Sequence, residues 1–299
     1  MPVKELHVNL GAQQGKGLDI AAKRRVLSRV LEGSWTALLK GRGMEFAGFR
    51  QYVYGDDASR IDWGATLRSK DVLVREFEEY KMVNIFFLLD VSDTMLFSST
   101  QKLKCEYAAE LVFHIASATI EAGNSVGYVL FSDRIVAKGQ LGIGRDVLYR
   151  LAQDLSDGRN YGGVRDWKRV MNQANTMLQQ RSLIILVSDF IDLPEGWDRY
   201  VKMFSFQNDL IGIMVRDVRD HALPKQGLQV AVSAPSGGET LLVDLQQYAA
   251  AYAEAAAEEE DAVRSIFEKA RSGFLKLELS SDPIDAVIKY FRKRSNAPG

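Results

Sequence analysis

The sequence predicts an α/β protein with a doubly wound, mainly parallel sheet and helices on both faces. Four nearly unbroken apolar runs indicate strands that are buried on both sides, as in parallel sheets. Helical stretches separate the runs, and this alternation favours right-handed crossovers between parallel strands. The runs lie at 83–89, 126–131, 183–187 and 210–215, and the clearest helix between them spans about 101–122, before Gly123.

Three segments are predicted along the 299 residues. Residues 1–40 form an N-terminal helical segment, because apolar residues recur at helical spacing beside a basic cluster at 23–25. Residues 41–80 form a small β-rich insert, in which glycines and aromatic residues alternate and 72–77 is a strand. Residues 81–299 form the sheet domain.

The last part of the sheet domain is predicted to begin with a hairpin at about 227–243, where two apolar segments flank a turn at 235–238. A long helix at about 245–271 follows, rich in alanine and glutamate. A last strand at 274–279 and a final helix at about 282–294 complete the chain.

Composition argues against several classes of protein. There are 38 Lys and Arg against 39 Asp and Glu, so the net charge of -1 gives no general attraction to nucleic acid or to anionic membranes. A single cysteine, Cys105, favours a reducing compartment. No apolar run approaches the ~18 residues of a membrane helix. We therefore expect a soluble, cytoplasmic protein that neither inserts into membranes nor binds nucleic acid.

Polar side chains follow two of the predicted strands. Asp90, Ser92 and Thr94 alternate directly after the first strand, and Asp189 closes the strand at 183–187. The carboxyl ends of parallel strands are where open α/β sheets bind ligands. Carboxylate and hydroxyl oxygens suit Mg²⁺ or another hard divalent cation, so these four residues are the candidate metal ligands. The alternative for Asp90 and Ser92 is turn and N-cap chemistry.

An ordered block over 43–79, followed by Asp90-Val91-Ser92-Asp93-Thr94-Met95, resembles the signature of the bacterial domain-of-unknown-function 58 family. The block consists of Gly43-Met44-Glu45-Phe46, Phe49-Arg50-Gln51-Tyr52, Gly55-Asp56-Asp57, Arg60-Ile61-Asp62-Trp63, Arg68 and Val74-Arg75-Glu76-Phe77-Glu78-Glu79. The resemblance spans about 25–294. It implies a von Willebrand factor A-like domain with a metal-ion adhesion site, and a MoxR-type AAA+ ATPase, or a substrate of one, as partner.

One departure from this family pattern bears on the metal site. The adhesion motif normally takes a threonine from a Gly-Gly-Thr-like loop, and the counterpart here is Tyr161-Gly162-Gly163-Val164. Valine offers no ligand oxygen, so the site is degenerate unless another residue such as Asn160 substitutes. We expect divalent binding to be weak or absent.

The charged residues of the signature block admit two interpretations. The sequence predicts an ion-pair network that fixes the insert to the sheet, because carboxylates flanked by arginines usually pair with them and stay ionised. Its members are Asp56, Asp57, Arg60, Asp62 and Arg68. A catalytic acid/base pair is the alternative.

Three functions compete at this point. The favoured one is a non-catalytic interaction or adaptor protein, in which a metal leaves a coordination position for a partner's Asp or Glu. The second is a divalent-metal-dependent hydrolase or phosphotransferase using Asp90 and Asp189, for which Asp93 is the only nearby spare carboxylate. The third is a nucleic-acid binder using the basic clusters at 23–25 and 292–294. For a binding test we expect Asp90→Ala and Asp189→Ala to stay folded.

Overall fold

The computed structural model describes residues 8, 17–38, 45–78, 82–178, 180–223, 229–232 and 241–295. The strands are β1 Glu45–Gln51, β2 Leu73–Glu78, β3 Asn84–Asp90, β4 Ser125–Phe131, β5 Ile135–Gly142, β6 Leu183–Ser188, β7 Asp209–Arg216, β8 Gln229–Val232, β9 Leu241–Asp244 and β10 Gly273–Glu278. The helices are α1 Gly17–Leu38, α2 Trp63–Thr66, α3 Lys104–Glu121, α4 Arg145–Ser156, α5 Trp167–Met177, α6 Asp198–Gln207, α7 Leu245–Lys269 and α8 Pro283–Ser295. The chain divides into one compact unit of Met1–Ser34 with Val83–Gly299 and a second of Trp35–Met82.

A six-stranded sheet is the centre of the larger unit. Its strand order is β10-β7-β6-β3-β4-β5, and every neighbouring pair is parallel except β4 and β5. The predicted doubly wound, mainly parallel sheet is therefore confirmed. The sequence analysis did not identify β5, which is the antiparallel edge strand and is only partly buried.

Burial on both faces explains why the central strands read as apolar runs. All residues of β4 and β6 are buried, as are all residues of β3 after Asn84. On one face, Phe86 and Leu88 of β3 join a core cluster with Trp167 of α5, Tyr200 of α6 and Phe267 of α7. On the other face, α3 packs against β3 and β4 and contacts α4 and α8.

The register of β3 fixes the edge at which the candidate residues lie. Leu89 of β3 is paired with Leu130 of β4 and with Val187 of β6. Asp90 and Ser188 are therefore the next residues along two adjacent parallel strands. The sheet thus brings the segments that follow β3 and β6 to one edge, as the sequence predicted.

The basic cluster at 23–25 lies on helix α1, and two of its side chains contact other elements of the larger unit. Lys23 donates to Asp282 at 2.9 Å and to Asp285 at 3.0 Å, while the guanidinium of Arg24 donates to Ser117 of α3 at 3.2 Å. Two of the three basic side chains thus tie α1 to the larger unit, which favours a structural role for the cluster over nucleic-acid binding.

The smaller unit pairs β1 with β2 in an antiparallel two-stranded sheet. Two of the predicted carboxylates pair with arginines, but with other arginines than the sequence suggested, and Asp57 instead accepts from the backbone N–H of Ser59 at 2.9 Å. Arg50 donates to Asp56 at 2.6 and 2.8 Å, and Arg75 donates to Asp62 at 2.7 Å. Asp62 also caps α2 by accepting from Ala65 N at 2.8 Å. These pairs support a structural role for the acidic residues of the block.

The C-terminal part of the larger unit contains β8, β9, β10 and α8. Strands β8 and β9 pair in antiparallel fashion, whereas the predicted turn at 235–238 lies outside the described residues. The predicted last strand and final helix match β10 and α8. Of the helices the structure describes, none is both long and apolar enough to cross a membrane.

Candidate functional site

Asp90, at the end of β3, is fully buried. One of its carboxylate oxygens, Oδ1, accepts from the backbone N–H of Ser92 at 3.0 Å, and the other accepts from the hydroxyl of Ser188 at 2.6 Å. Ser92 precedes a short 3-10 helix, and its hydroxyl lies 3.3 Å from that of Thr94. The structure therefore gathers Asp90, Ser92 and Thr94 into one turn, as the sequence predicted.

Asp189 directly follows β6, one residue beyond the position that corresponds to Asp90, and is also fully buried. Its Oδ1 accepts from Arg165 Nη1 at 2.9 Å and from the Ile191 N–H at 3.2 Å, and its Oδ2 accepts from Lys104 Nζ at 3.0 Å. Burial alone would raise the pKa of Asp189, but the charges of Lys104 and Arg165 lower it to about 2. The carboxylate is therefore held ionised inside the protein.

The guanidinium of Arg165 lies between the two carboxylates. Its Nη1 donates to Asp90 Oδ2 and to Asp189 Oδ1, and is 3.2 Å from the hydroxyl of Ser188. Its Nη2 donates to the carbonyl of Ile191. Burial opposes the charge of this side chain, yet Asp90 and Asp189 raise the pKa of Arg165 above its usual value. Arg165 was not among the residues singled out from the sequence.

This arrangement does not fit a divalent cation held between Asp90 and Asp189. A cation that bridged Asp90 Oδ2 and Asp189 Oδ1 would occupy the position of Arg165 Nη1. In the described part of the chain, no group of three or more His, Cys, Asp or Glu side chains is arranged to hold a metal ion. The positive charge at this position comes instead from Arg165, and Lys104 supplies a second one beside Asp189.

Lys104, at the start of α3, extends the charged cluster deeper into the protein. Its side chain is buried, and its Nζ donates to Asp189 at 3.0 Å and to both oxygens of Asp220 at 3.0 and 3.2 Å. Asp220 also accepts from the backbone N–H of Asp217 at 2.8 Å. The result is an alternating chain of charges that runs Asp90, Arg165, Asp189, Lys104, Asp220.

The loop before α5 delivers Arg165 to this position. Gly162 and Gly163 have φ values of +103° and +97°, a conformation that favours glycine. Gly163 exchanges two hydrogen bonds with Asp93, at 2.8 and 3.0 Å, and Gly162 N–H donates to Val91 O at 2.7 Å. The loop is thus fastened to the segment after β3.

Two residues near this loop bear on the missing ligand. The side chain of Val164 is apolar, and the residue is 60% exposed. Asn160, which the sequence offered as a substitute ligand, donates its amide to the carbonyl of Asp154 at 2.8 Å. Asn160 is also not one of the residues that line the cavity beside Ser92 and Thr94, so its role as a substitute ligand stays a prediction.

The segment after β6 is held in an uncommon conformation. Phe190 and Asp192 have φ values of 51° and 57°, in the left-handed region that non-glycine residues rarely adopt. The ring of Phe190 is buried against Trp167, Trp197 and Phe267, and Arg165 holds the carbonyl of Ile191. Core packing and the arginine together stabilise this strained segment.

Above the buried charges, the surface opens into a small cavity of about 160 Å³. Its rim includes Asp93, Thr94 and Asp192, together with Val164. The cavity is lined by Ser92, Asp93, Thr94, Gly163, Val164, Arg165 and Asp192. The accessible part of the site is therefore made of loop residues, while Asp90 and Asp189 lie beneath it.

A family model described as "Protein of unknown function DUF58" matches residues 48–262, which is more than half of the chain. The chain belongs to the DUF58 family. Uncharacterized proteins of Mycobacterium bovis and Mycobacterium tuberculosis are each 25% identical to it over 222 residues, which is 74% of this chain and 69% of the relative. The resemblance noted in the sequence is thus confirmed.

Similar solved structures include the conserved hypothetical protein BatB of Bacteroides thetaiotaomicron, with a TM-score of 0.46 and 16% identity over 72% of this chain and 100% of BatB. A von Willebrand factor type A protein of Catenulispora acidiphila aligns with a TM-score of 0.43 and 15% identity, over 75% of this chain and 43% of that one. The sheet topology confirms the predicted fold class, and von Willebrand A proteins are among the structural neighbours of this DUF58 chain.

Four residues of this buried cluster were not predicted from the sequence: Arg165, Lys104, Ser188 and Asp220. For Arg165 a signal did exist, because it follows directly after Val164, the residue in the threonine position. For Lys104 and Asp220 no comparable signal exists. They are 116 residues apart in sequence and meet only because α3 and the segment after β7 reach the same edge of the sheet.

Proposed function

We propose that this DUF58 protein is a non-catalytic interaction module that binds a protein partner through the loops after β3 and β6. One observation carries the proposal: Asp90 and Asp189 are both engaged in a buried ion pair with Arg165. Carboxylates that are buried, ionised and charge-paired are poorly placed to act as acids, bases or nucleophiles. Loops on a rigid sheet, in contrast, are where binding residues usually lie.

The alternative of a divalent-metal-dependent hydrolase or phosphotransferase finds less support. Such an enzyme needs Asp90 and Asp189 to hold a metal, with a nucleophile or base beside it. Asp93, the nearest spare carboxylate, accepts from Gly163 N–H and so has a structural task in the loop. No contact in the described residues favours hydrolysis.

The partner surface in this proposal consists of Ser92 to Thr100 and Asp189 to Glu195. Within it, Ser99 is anchored by its hydroxyl and N–H on Asp217 at 2.6 and 2.9 Å, while Phe97 is 47% exposed. The rim of the cavity carries Asp93 and Asp192. Because Arg165 is buried beneath this rim, a partner meets hydroxyls, acidic groups and apolar side chains rather than a metal ion.

The identity of the partner comes from the family resemblance, which implies a MoxR-type AAA+ ATPase or a substrate of one. A cytoplasmic location and a divalent cation that is weakly bound or absent at Asp90, Ser92, Thr94 and Asp189 belong to the same proposal.

The structure changes the choice of test variants. Asp90→Ala and Asp189→Ala were expected to stay folded, but each removes a fully buried carboxylate from a charge network. Breaking a buried pair typically costs about 3–5 kcal/mol, so a lost interaction would not be distinguishable from lost structure. Variants on the exposed rim are the better probes.

Val164→Arg is the informative variant for a pull-down of a purified MoxR-type ATPase from the same organism. Val164 is 60% exposed and lines the cavity, so a bulky charge there should block docking without unfolding the protein. Phe206→Arg is the matched control, since Phe206 is 85% exposed. It lies near the end of α6, just before the amino-terminal end of β7 and so away from the carboxyl ends of the strands. We expect capture by wild type and Phe206→Arg and loss of capture by Val164→Arg. Equal capture by all three proteins would mean that the interface lies elsewhere on the molecule. No capture by wild type would mean that the MoxR-type ATPase is not the partner.

A further inference from the structure

Three oxygens converge on one point at the carboxyl edge of the sheet. They are Asp90 Oδ2, Asp189 Oδ1 and the hydroxyl oxygen of Ser188, and Arg165 Nη1 lies among them. Two carboxylates buried this deeply require a positive counter-charge. We infer that Asp90, Ser188 and Asp189 form a built cation site that Arg165 fills from within, so that the native protein binds no divalent cation there.

The oxygens alone would suit a metal. Two carboxylates and a hydroxyl are the kind of ligands that a hard divalent cation accepts, with water completing its shell. The site is therefore a genuine cation site by its chemistry, and what distinguishes it is the identity of the cation. A guanidinium attached to the chain is always charged and always present.

Displacement of Arg165 by a metal would cost several interactions at once. Its Nη2 also donates to Ile191 O, and its guanidinium lies 5.2 Å from the ring of Trp167. Only 5% of the side chain is exposed. The loop that carries it is fixed to Asp93 through Gly163, so the arginine has no easy route away from the carboxylates.

The neighbouring side chains would not offset the interactions that are lost when a metal displaces Arg165. Val164 carries no oxygen in its side chain, and the Ser92 hydroxyl lies 3.3 Å from that of Thr94. If the proposed function holds, one consequence is that the complex with the partner survives chelation, because no metal bridges the two proteins. The inference itself concerns the isolated protein and can be tested without any partner.

The test titrates purified protein with Mn²⁺, followed by electron paramagnetic resonance of the free ion and by thermal unfolding, with EDTA-treated protein as reference. For wild type we expect no bound Mn²⁺ and a Tm within about 1 °C of the reference at millimolar metal. Arg165→Ala opens the oxygen-lined site, leaves buried Asp90 without its charged partner and leaves Asp189 with Lys104 alone. We expect its Tm to fall by roughly 10 °C without metal and to recover by several degrees with millimolar Mn²⁺.

Two further variants separate charge balance from simple damage. Arg159→Ala removes an exposed arginine that pairs with Asp157 at 2.7 Å, and should change neither Tm nor metal binding. Adding Asp90→Asn to Arg165→Ala removes one of the two facing charges. This double variant should be more stable than Arg165→Ala without metal and should no longer respond to Mn²⁺.

The outcomes decide the inference in every case. Binding of Mn²⁺ by wild type that Asp90→Asn abolishes would overturn it, as would an Arg165→Ala protein that folds and ignores Mn²⁺. If Arg165→Ala does not fold, the wild-type titration and the Arg165→Lys variant test the inference instead. The lysine variant keeps a positive charge and should fold without binding Mn²⁺, whereas metal-dependent folding of Arg165→Lys would contradict a site filled by a side-chain cation.

Discussion

Replacement of Lys104 by methionine isolates the contribution of the inner cation of the cluster. Lys104 is 1% exposed, and its Nζ donates to Asp189 at 3.0 Å and to Asp220 at 3.0 and 3.2 Å. Methionine fills similar space without the charge, so the change leaves little cavity. What it does leave is two buried carboxylates that have lost a shared counter-charge, and one-sided loss of this kind typically costs about 3–5 kcal/mol.

The same variant should change how stability depends on pH. The pKa of Asp189 in the folded protein is about 2, lowered from 3.8 by Lys104 and Arg165 against the effect of burial. A group with a lowered folded-state pKa contributes stability that is present above its unfolded pKa and is lost as the pH falls through the folded one. The shift corresponds to about 2 kcal/mol, present above pH 4 and lost toward pH 2. Lys104→Met should therefore start to unfold at a higher pH than wild type.

Urea denaturation at pH 7 and at several values between pH 5 and pH 2.5 measures both effects. The control is Lys104→Met combined with Asp220→Asn, which removes one of the abandoned charges and should recover part of the lost stability at pH 7. The reasoning would be refuted if Lys104→Met lowered the free energy of unfolding by less than about 1 kcal/mol relative to wild type and left the acid transition unchanged. It would mean that water or a rearranged side chain supplies the missing charge compensation.

Two further predictions concern the core. A Cβ on Gly212 would lie 2.4 Å from the ring of Phe267, so Gly212→Ala should lower the free energy of unfolding by about 1–3 kcal/mol, measured by urea denaturation. Gly158→Ala is the control and should not lower it, because a Cβ on Gly158 meets open space. The pKa of His114 is lowered to about 4 by burial and by the charge of Arg24. The unfolded chain therefore binds the proton more readily, and the free energy of unfolding should fall as the pH drops from 6.5 to 4. His114→Leu should make the free energy of unfolding less dependent on pH across that range, and an unchanged slope would contradict a lowered pKa for His114.

The central sheet could be predicted from the sequence because parallel strands buried on both faces must be apolar throughout. The run at 83–89 became β3 Asn84–Asp90, and the run at 183–187 became β6 Leu183–Ser188. Strand β5 was missed for the converse reason. Most of its residues are only partly buried and it contains two glycines, so its sequence shows neither a continuous apolar run nor a strict alternation.

The candidate site could be predicted only as far as backbone topology determines it. Asp90 and Asp189 were expected at one edge of the sheet because both close parallel strands, and a single guanidinium nitrogen contacts both. A sequence gives the position of an arginine along the chain but not the direction in which its long side chain reaches. The role of Arg165 therefore depended on the fold of the Gly162-Gly163 loop, which only the structure shows.

Val164 and Arg165 make physical sense as a pair of neighbouring residues. A threonine at position 164 would add one neutral oxygen, which helps a metal but does nothing to neutralise Asp90 and Asp189. An arginine at position 165 supplies the charge directly, and its planar fork reaches both carboxylates and the carbonyl of Ile191 together. Once that charge is present, an additional hydroxyl has no cation to bind, and an apolar residue such as Val164 can face the solvent. A lysine could not reproduce the fork, because its single ammonium is a point charge. Under the inference above, the metal-like position is a structural ion pair, and the proposed partner would be recognised by the loop residues above it.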